Sequence, residues 1–255
     1  MCKYWVAFST ITIREIRRFL RVWSQSLLPS AITMSLYFVI FGGLIGKKVG
    51  EMGGVDYALY ITPGLVMMSV ITNAYTNVSS SFFLMKFQRS LEEILISPVP
   101  GWVVLLGFVA GGVARGLIIG SIVILVSLFF TNLHIQHPFL MIIVVLLTST
   151  LFSLAGFING VYANKFDDIA MVPTFILTPL TYLGGVFYSI EMLPSFWEKV
   201  SRINPILYMV NIFRYGMLGV SDVNVLNAFL LLIFLAIFLF AFAMWLLNKG
   251  VGIRT

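Results

Sequence analysis

Long apolar runs separated by short polar connectors set the layout of the chain. The first predicted crossing covers residues 24–46, about 34 Å if wholly helical. Pro29 near its start predicts that the helix begins or kinks there. The second crossing, 57–84, is expected to be interrupted at Pro63-Gly64, and the third, 103–130, to be broken across Gly111 to Gly116. The fourth covers 139–161. The fifth, 169–187, holds Pro173 and Pro179 and closes on Gly184-Gly185, so a kinked or interrupted helix is expected, either a packing kink or a hinge. The sixth, 228–247, is an unbroken apolar run. Each run is near the length that a bilayer core requires.

The remaining segments are amphipathic. In residues 3–23, Trp5, Phe8, Ile16, Phe19, Leu20 and Trp23 share one helical face, with Thr12 the polar residue on it. Arg14, Arg17, Arg18 and Arg21 crowd the other side, which predicts an interfacial helix with its arginines toward anionic headgroups. Within residues 86–100, Phe87, Leu91, Ile94 and Leu95 recur at helical spacing. Gln88, Arg89, Glu92 and Glu93 fall off that stripe, and Pro98 and Pro100 end it. This reads as a short helix at a membrane surface, either a solvated connector or an element presented to a partner. Residues 188–227 hold pieces too short or too polar to span, broken at Asn204-Pro205, and short interfacial or re-entrant helices fit them better.

Composition agrees with an all-α polytopic membrane protein. Sixty percent of the 255 residues are hydrophobic and 10% charged, with a mean hydropathy of +1.01, far from a soluble domain. The net charge of +6 then reads as basic loops on one side of a bilayer and not as a nucleic-acid footprint. Cys2 is the single cysteine, which rules out an internal disulfide framework and a multi-cysteine zinc site. His134 and His137 lie in a short loop without a third ligand, so a plain polar loop is expected there. The charged amphipathic start is unlike the apolar core of a cleavable signal peptide, and none is expected.

Six crossings put both termini on one side. Lys3, Arg14, Arg17, Arg18, Arg21, Lys86, Arg89, Lys165, Lys249 and Arg254 share that side. Lys47, Lys48, Lys199, Arg202 and Arg214 fall on the other, so the positive-inside rule makes the first side cytoplasmic. Arg115 is left within the membrane, where it must be paired, bound to backbone carbonyls or facing water; packing and an anionic substrate group are both open roles. Asn73, Thr76, Asn77 and Ser79 to Ser81 read either as helix–helix hydrogen bonds or as the lining of a path. Gly42 to Lys47 superficially resembles a phosphate-binding loop, but it is one residue short between its glycines and ends an apolar helix, so it makes no nucleotide site.

This layout, with Asn73-Ala74-Tyr75, Lys86-Phe87-Gln88-Arg89, Ser97-Pro98-Val99-Pro100, Gly111 to Gly116, Phe166-Asp167-Asp168 and the VPTFILTPLTYLGGVFYS stretch from Val172 to Ser189, resembles the ABC-2 type transport permeases over nearly the whole chain. The resemblance implies one transmembrane domain over residues 1–255, in a bacterial inner-membrane exporter subunit that carries no nucleotide site. It implies a homodimer docked on separate P-loop ATPase subunits that hold ATP and magnesium. In that reading 86–100 is a coupling segment, Gln88, Arg89, Glu92, Glu93 and Ser97 meet the ATPase, and Asn73, Asn77, Arg115, Thr178 and Thr181 face a path or the dimer interior. The alternative is an ATP-independent channel or secondary carrier. A coupled carrier usually needs buried carboxylates, whereas Asp56, Asp167 and Asp168 sit only at span ends; no internal repeat points to inverted halves either. A membrane enzyme would need a catalytic grouping, and none is legible. A structural or assembly factor stays open, and the substrate is not legible.

Overall fold

The computed structural model describes residues 2–91, 98–133, 135–250 and 252. Helix α1 (Cys2–Arg21) leads into a broken run of α2 (Trp23–Ser26), α3 (Leu28–Tyr37), a π-helical stretch at Phe38–Ile45 and α4 (Gly46–Val49). A two-stranded hairpin follows, β1 (Glu51–Met52) antiparallel to β2 (Val55–Asp56), turning through Gly53 and Gly54 at positive φ. Three long helices come next: α5 (Tyr57–Phe87), α6 (Gly101–Ser127) and α7 (Pro138–Tyr162). A second broken run joins α8 (Phe166–Val172), a π-helical stretch at Pro173–Leu177 and α9 (Thr178–Tyr182). A 3-10 turn at Ile190–Met192, α10 (Ser195–Ile203), α11 (Pro205–Leu218) and α12 (Val225–Lys249) complete the chain.

Among the described residues five stretches are long and apolar enough to cross a membrane: Trp23–Val49, α5, α6, α7 and α12. The predicted fifth crossing is not one of them. Pro173 and Pro179 loosen its helix, which ends at Tyr182 and unwinds into turns before Ser189. Pro29 sits in the first turn of α3, where its missing N–H costs least, so the predicted helix start is observed.

Two predicted breaks are absent. Helix α5 runs unbroken through Pro63-Gly64. Pro63 removes one bond to the Leu59 carbonyl, but Tyr60, Ile61, Leu65 and Val66 are fully buried around it and hold the helix. Gly64 is there for close approach, since a Cβ would come within 2.7 Å of the Val186 Cα. Helix α6 likewise continues through Gly111 to Gly116. In an apolar surround the backbone N–H and C=O groups find partners only within the helix, so glycine does not end it. The glycines instead admit neighbours: a Cβ on Gly112 would meet Val78 at 2.7 Å, and one on Gly107 would meet Ile11 at 2.7 Å.

Helix α5 is the centre of the bundle, with 78% of its most apolar window buried, against 11% for Trp23–Val49 and 22% for α12. Helices α6, α7 and α11 pack around it. Helix α11, expected to be interfacial or re-entrant, is not interfacial: Ile206, Leu207, Met209, Val210, Ile212 and Phe213 are fully buried in the core. Helix α10 is the surface piece, exposing Phe196, Trp197 and Ile203.

Contacts sort the chain into two ends. At one end, Arg14 reaches Met85, Lys86 Nζ donates to the Val161 and Ala163 carbonyls at 2.8 and 2.9 Å, and Gly101 abuts Leu247. At the other, Gln136 Nε2 donates to the Leu218 carbonyl, Tyr57 Oη to Phe187 and the Ile190 N–H to Asp222.

Candidate coupling end and translocation face

The segment expected to couple, 86–100, begins on the end of helix α5. Phe87 closes α5 and packs its ring on Phe83 and Phe166, so it does not open the amphipathic helix as expected. The chain turns at Gln88 and Arg89, both exposed, with Arg89 at φ 59°, a left-handed conformation uncommon outside glycine. Leu91 then drops into the core at 2% exposure beside Met85. The stripe is therefore split: Phe87 stays outside and Leu91 anchors the turn. Glu92, Glu93, Ile94, Leu95 and Ser97 lie outside the described residues. The neighbouring turn is fixed by Asp168, whose Oδ2 accepts from the Asn164 and Lys165 N–H groups at 2.8 and 3.0 Å. Those two backbone bonds hold its carboxyl below the usual carboxylate range.

Helix α1 is less simply interfacial than expected. Its face toward α6 carries Ile11, Glu15 and Phe19, with Glu15 1% exposed. Arg14 and Arg18 turn inward to Glu15 at 3.1 and 3.3 Å, and Arg18 also donates to the carbonyl and Oδ1 of Asn77, both at 2.9 Å. Arg17 and Arg21 are exposed, as are Trp5 and Trp23. The reason is that Gly107 and Gly111 leave no room on α6 for anything but a close helix, and Glu15 enters that space with two guanidinium partners.

The predicted interior residues do not form one site. Asn73 and Asn77 are buried on successive turns of α5: Asn73 Nδ2 donates to Ser30 Oγ at 3.1 Å, and Asn77 meets Arg18. Thr181 is buried, its hydroxyl on the Leu177 carbonyl at 2.7 Å. Thr178 is exposed on the outer surface and bonds the Pro173 carbonyl at 2.9 Å. Arg115 donates to the Ser26 carbonyl at 3.2 Å, the backbone-carbonyl option, and ties α6 to the elbow before α3.

Thr76 and Ser80, read from the sequence as possible path lining, belong to an uncovered row of α5 whose other members, Met68 and Thr72, the sequence reading missed. From Tyr60 to Phe83 every position of that helix is buried except Met68, Thr72, Thr76 and Ser80, which repeat every four residues. Three of the four carry hydroxyls, each bonded to a carbonyl of its own helix. Beside the row, a groove of about 230 Å³ between α3 and α5 is edged by Ser30, Thr33, Tyr37 and Asn73. The i, i+4, i+8 hydroxyl spacing was the available signal. Also missed were Glu15, hidden among arginines, and Arg214, counted with the cations of the outer side but fully buried on α11. Gly42 to Lys47 lies in the π-helical stretch and α4, not after a strand. Among the described residues no group of three His, Cys, Asp or Glu side chains could hold a metal ion.

The ABC-2 type transporter family pattern matches residues 6–218. The inner membrane transport permease YadH of Escherichia coli (strain K12) is 52% identical over 252 residues, covering 99% of this chain and 98% of that protein. Nodulation protein J of Rhizobium leguminosarum bv. viciae is 23% identical over 214 residues, covering 82% of this chain and 83% of its own. The corresponding protein of Rhizobium meliloti (strain 1021) is 25% identical over 201 residues, covering 78% and 77%. The resemblance drawn from the coupling, glycine and TPLTYLGGVFYS segments thus extends end to end, and the chain belongs to the ABC-2 type transporter family, as a transmembrane permease subunit of an ATP-binding cassette transporter.

Proposed function

We propose that this chain forms a homodimeric exporter permease in a bacterial inner membrane, with a substrate path at the dimer interface. The supporting observation is the row Thr72, Thr76 and Ser80, the only uncovered strip of the buried part of α5, next to a groove edged by hydroxyls. Lipid tails gain nothing from hydroxyls, whereas a second copy or a polar substrate group does. In this reading the broken run from Phe166 to Phe187 is the sixth membrane-entering segment, both termini are cytoplasmic, and the whole chain is one transmembrane domain.

Coupling follows from α5. A separate P-loop ATPase, holding ATP and magnesium, docks on Gln88, Arg89, Glu92, Glu93 and Ser97. Displacement of that turn moves a helix packed on nearly every side, so motion reaches the interface as a rigid-body shift. The π-helical stretches at Phe38–Ile45 and Pro173–Leu177 are the places where the outer runs can bend. Glu15 does not favour a proton-coupled carrier, because Arg14 and Arg18 clamp it.

Cysteine cross-linking in a Cys2→Ser background tests the interface. Thr72→Cys should give a disulfide-linked dimer in native membranes, while Phe139→Cys, 76% exposed on α7, should not. Equal yields at both positions, or none at Thr72, would overturn the assignment.

A further inference from the structure

Beneath α1 lies a cavity of about 830 Å³ whose wall includes Arg14, Arg17, Arg18 and Arg21. Their spacing of i, i+3, i+4 and i+7 places all four guanidinium groups along one side of the helix. Glu15 is the only carboxylate among the described lining residues, and it is already shared between Arg14 and Arg18 at 3.1 and 3.3 Å. Arg18 is further fixed on Asn77. Among the described residues Arg17 and Arg21 have no carboxylate within ion-pair distance. Two guanidinium groups are thus oriented by the fold, and among the described residues two are unneutralised, so the described lining carries more positive charge than its one carboxylate balances.

The opposite wall is the end of α5 and the turn after it, with Ser81, Gln88 and Ser90 as neutral polar groups and Leu84 and Met85 as apolar ones. Ile13 and Val22, both exposed, give the lining an apolar edge. A cavity with arginine walls and an apolar lip fits a group that is anionic at one end and greasy at the other. Four arginines, not lysines, point to an oxyanion that can accept paired N–H donors, for which phosphate is suited.

We propose that this cavity binds the phosphate of an anionic phospholipid from the leaflet at the coupling end, with Arg17 and Arg21 as its main ligands and the acyl chains leaving over Ile13 and Val22. A bound lipid would lie between α1 and Gln88, within the turn through which coupling is proposed, and so would fasten α1 to that turn. The inference rests on α1 lying at the membrane boundary, and it does not depend on an ATPase docking nearby.

The test uses the full-length chain, delipidated in mild detergent, with native mass spectrometry counting adducts of dioctanoyl phosphatidic acid, of dioctanoyl phosphatidylcholine, and of inorganic phosphate. Wild type should retain phosphatidic acid at concentrations where the zwitterionic lipid and inorganic phosphate leave no adduct. Arg17→Gln with Arg21→Gln should weaken phosphatidic acid binding about tenfold or more. Arg17→Lys with Arg21→Lys should restore part of it, and Arg202→Gln, on the surface helix α10, should leave it unchanged. Both arginines are exposed, so the thermal unfolding of the double variant should match wild type and separate lost binding from lost fold. Phosphatidic acid binding that is unchanged in the double glutamine variant would overturn the proposal. So would equal retention of phosphatidylcholine, or an inorganic phosphate adduct without a lipid one, which would make the site one for a soluble anion. Loss of a co-purifying ATPase in the double variant with lipid binding intact would reassign the cavity to that protein.

Discussion

Arg214 is the most demanding residue in the fold. It sits on α11 with no solvent exposure, donates Nη2 to the Gly185 carbonyl at 2.6 Å, and holds its guanidinium carbon 4.0 Å from the centre of the Tyr60 ring. Its other terminal nitrogen is 3.9 Å from Asp222 Oδ2, beyond hydrogen-bond distance. One side chain therefore joins α11, α5 and the turn after α9. Arg214→Met keeps most of the apolar volume and removes the charge. The charge-assisted bond accounts for about 1.5–3 kcal/mol and the desolvated cation–π contact for about 2. Relief from burying a charge offsets part of this, so a net loss of about 3 kcal/mol is expected, at the lower end for a broken buried pair. The distances also rank the partners. Because the Asp222 contact is long and the Gly185 contact short, a double-mutant cycle of Arg214→Met with Asp222→Asn should show coupling of about 1 kcal/mol or less. Equilibrium unfolding of the purified protein in mixed micelles measures both quantities. A variant within about 0.5 kcal/mol of wild type would refute the clasp. A coupling that accounts for most of the loss would refute the ranking and make the ion pair the main term.

Helix contact through glycine gives a second expectation. A Cβ on Gly156 would lie 3.1 Å from the Tyr75 carbonyl carbon, which is backbone and cannot rotate away, whereas one on Gly43 meets nothing within 4 Å. Gly156→Ala should therefore lower stability by about 1–3 kcal/mol and Gly43→Ala should be neutral, read from unfolding midpoints. The Asp168 turn gives a pH dependence. Its carboxyl is held below the ordinary range by the Asn164 and Lys165 N–H groups, so its stabilisation is present above the unfolded carboxylate pKa and is lost as pH falls through the lower folded value. The stability gap between wild type and Asp168→Asn should be full at neutral pH and close in strong acid; a gap that persists there would contradict the backbone cap.

Much of this architecture was legible in apolar run length. The crossings appear where uncharged stretches are long enough to span, and Pro29, Pro173 and Pro179 mark interruptions because a missing N–H and a fixed φ act locally. Pro63 and the Gly111 to Gly116 series misled because local propensity was outweighed by burial on all sides and by the absence of competing hydrogen-bond partners in an apolar surround. Phe87 was assigned to the wrong helix because periodicity does not register a turn that one left-handed residue, Arg89, can make. Glu15 and Arg214 were missed for a shared reason. A charge count assigns ionised groups to loops, while both are buried against partners distant in sequence, Asn77 by way of Arg18 and Gly185 with Tyr60. Helix α11 became core through tertiary packing that its short length concealed.

Purification of the tagged chain from its native host in mild detergent, with identification of the co-purifying proteins, tests the permease account at its root. A P-loop ATPase should come down in fixed ratio with the chain. It should be lost on reversing Arg89, Glu92 and Glu93 together (Arg89→Glu, Glu92→Lys, Glu93→Lys), while the permease itself remains folded and dimeric. Recovery of a folded permease with no ATPase, or an ATPase retained undiminished by the charge-reversed chain, would contradict coupling through this turn.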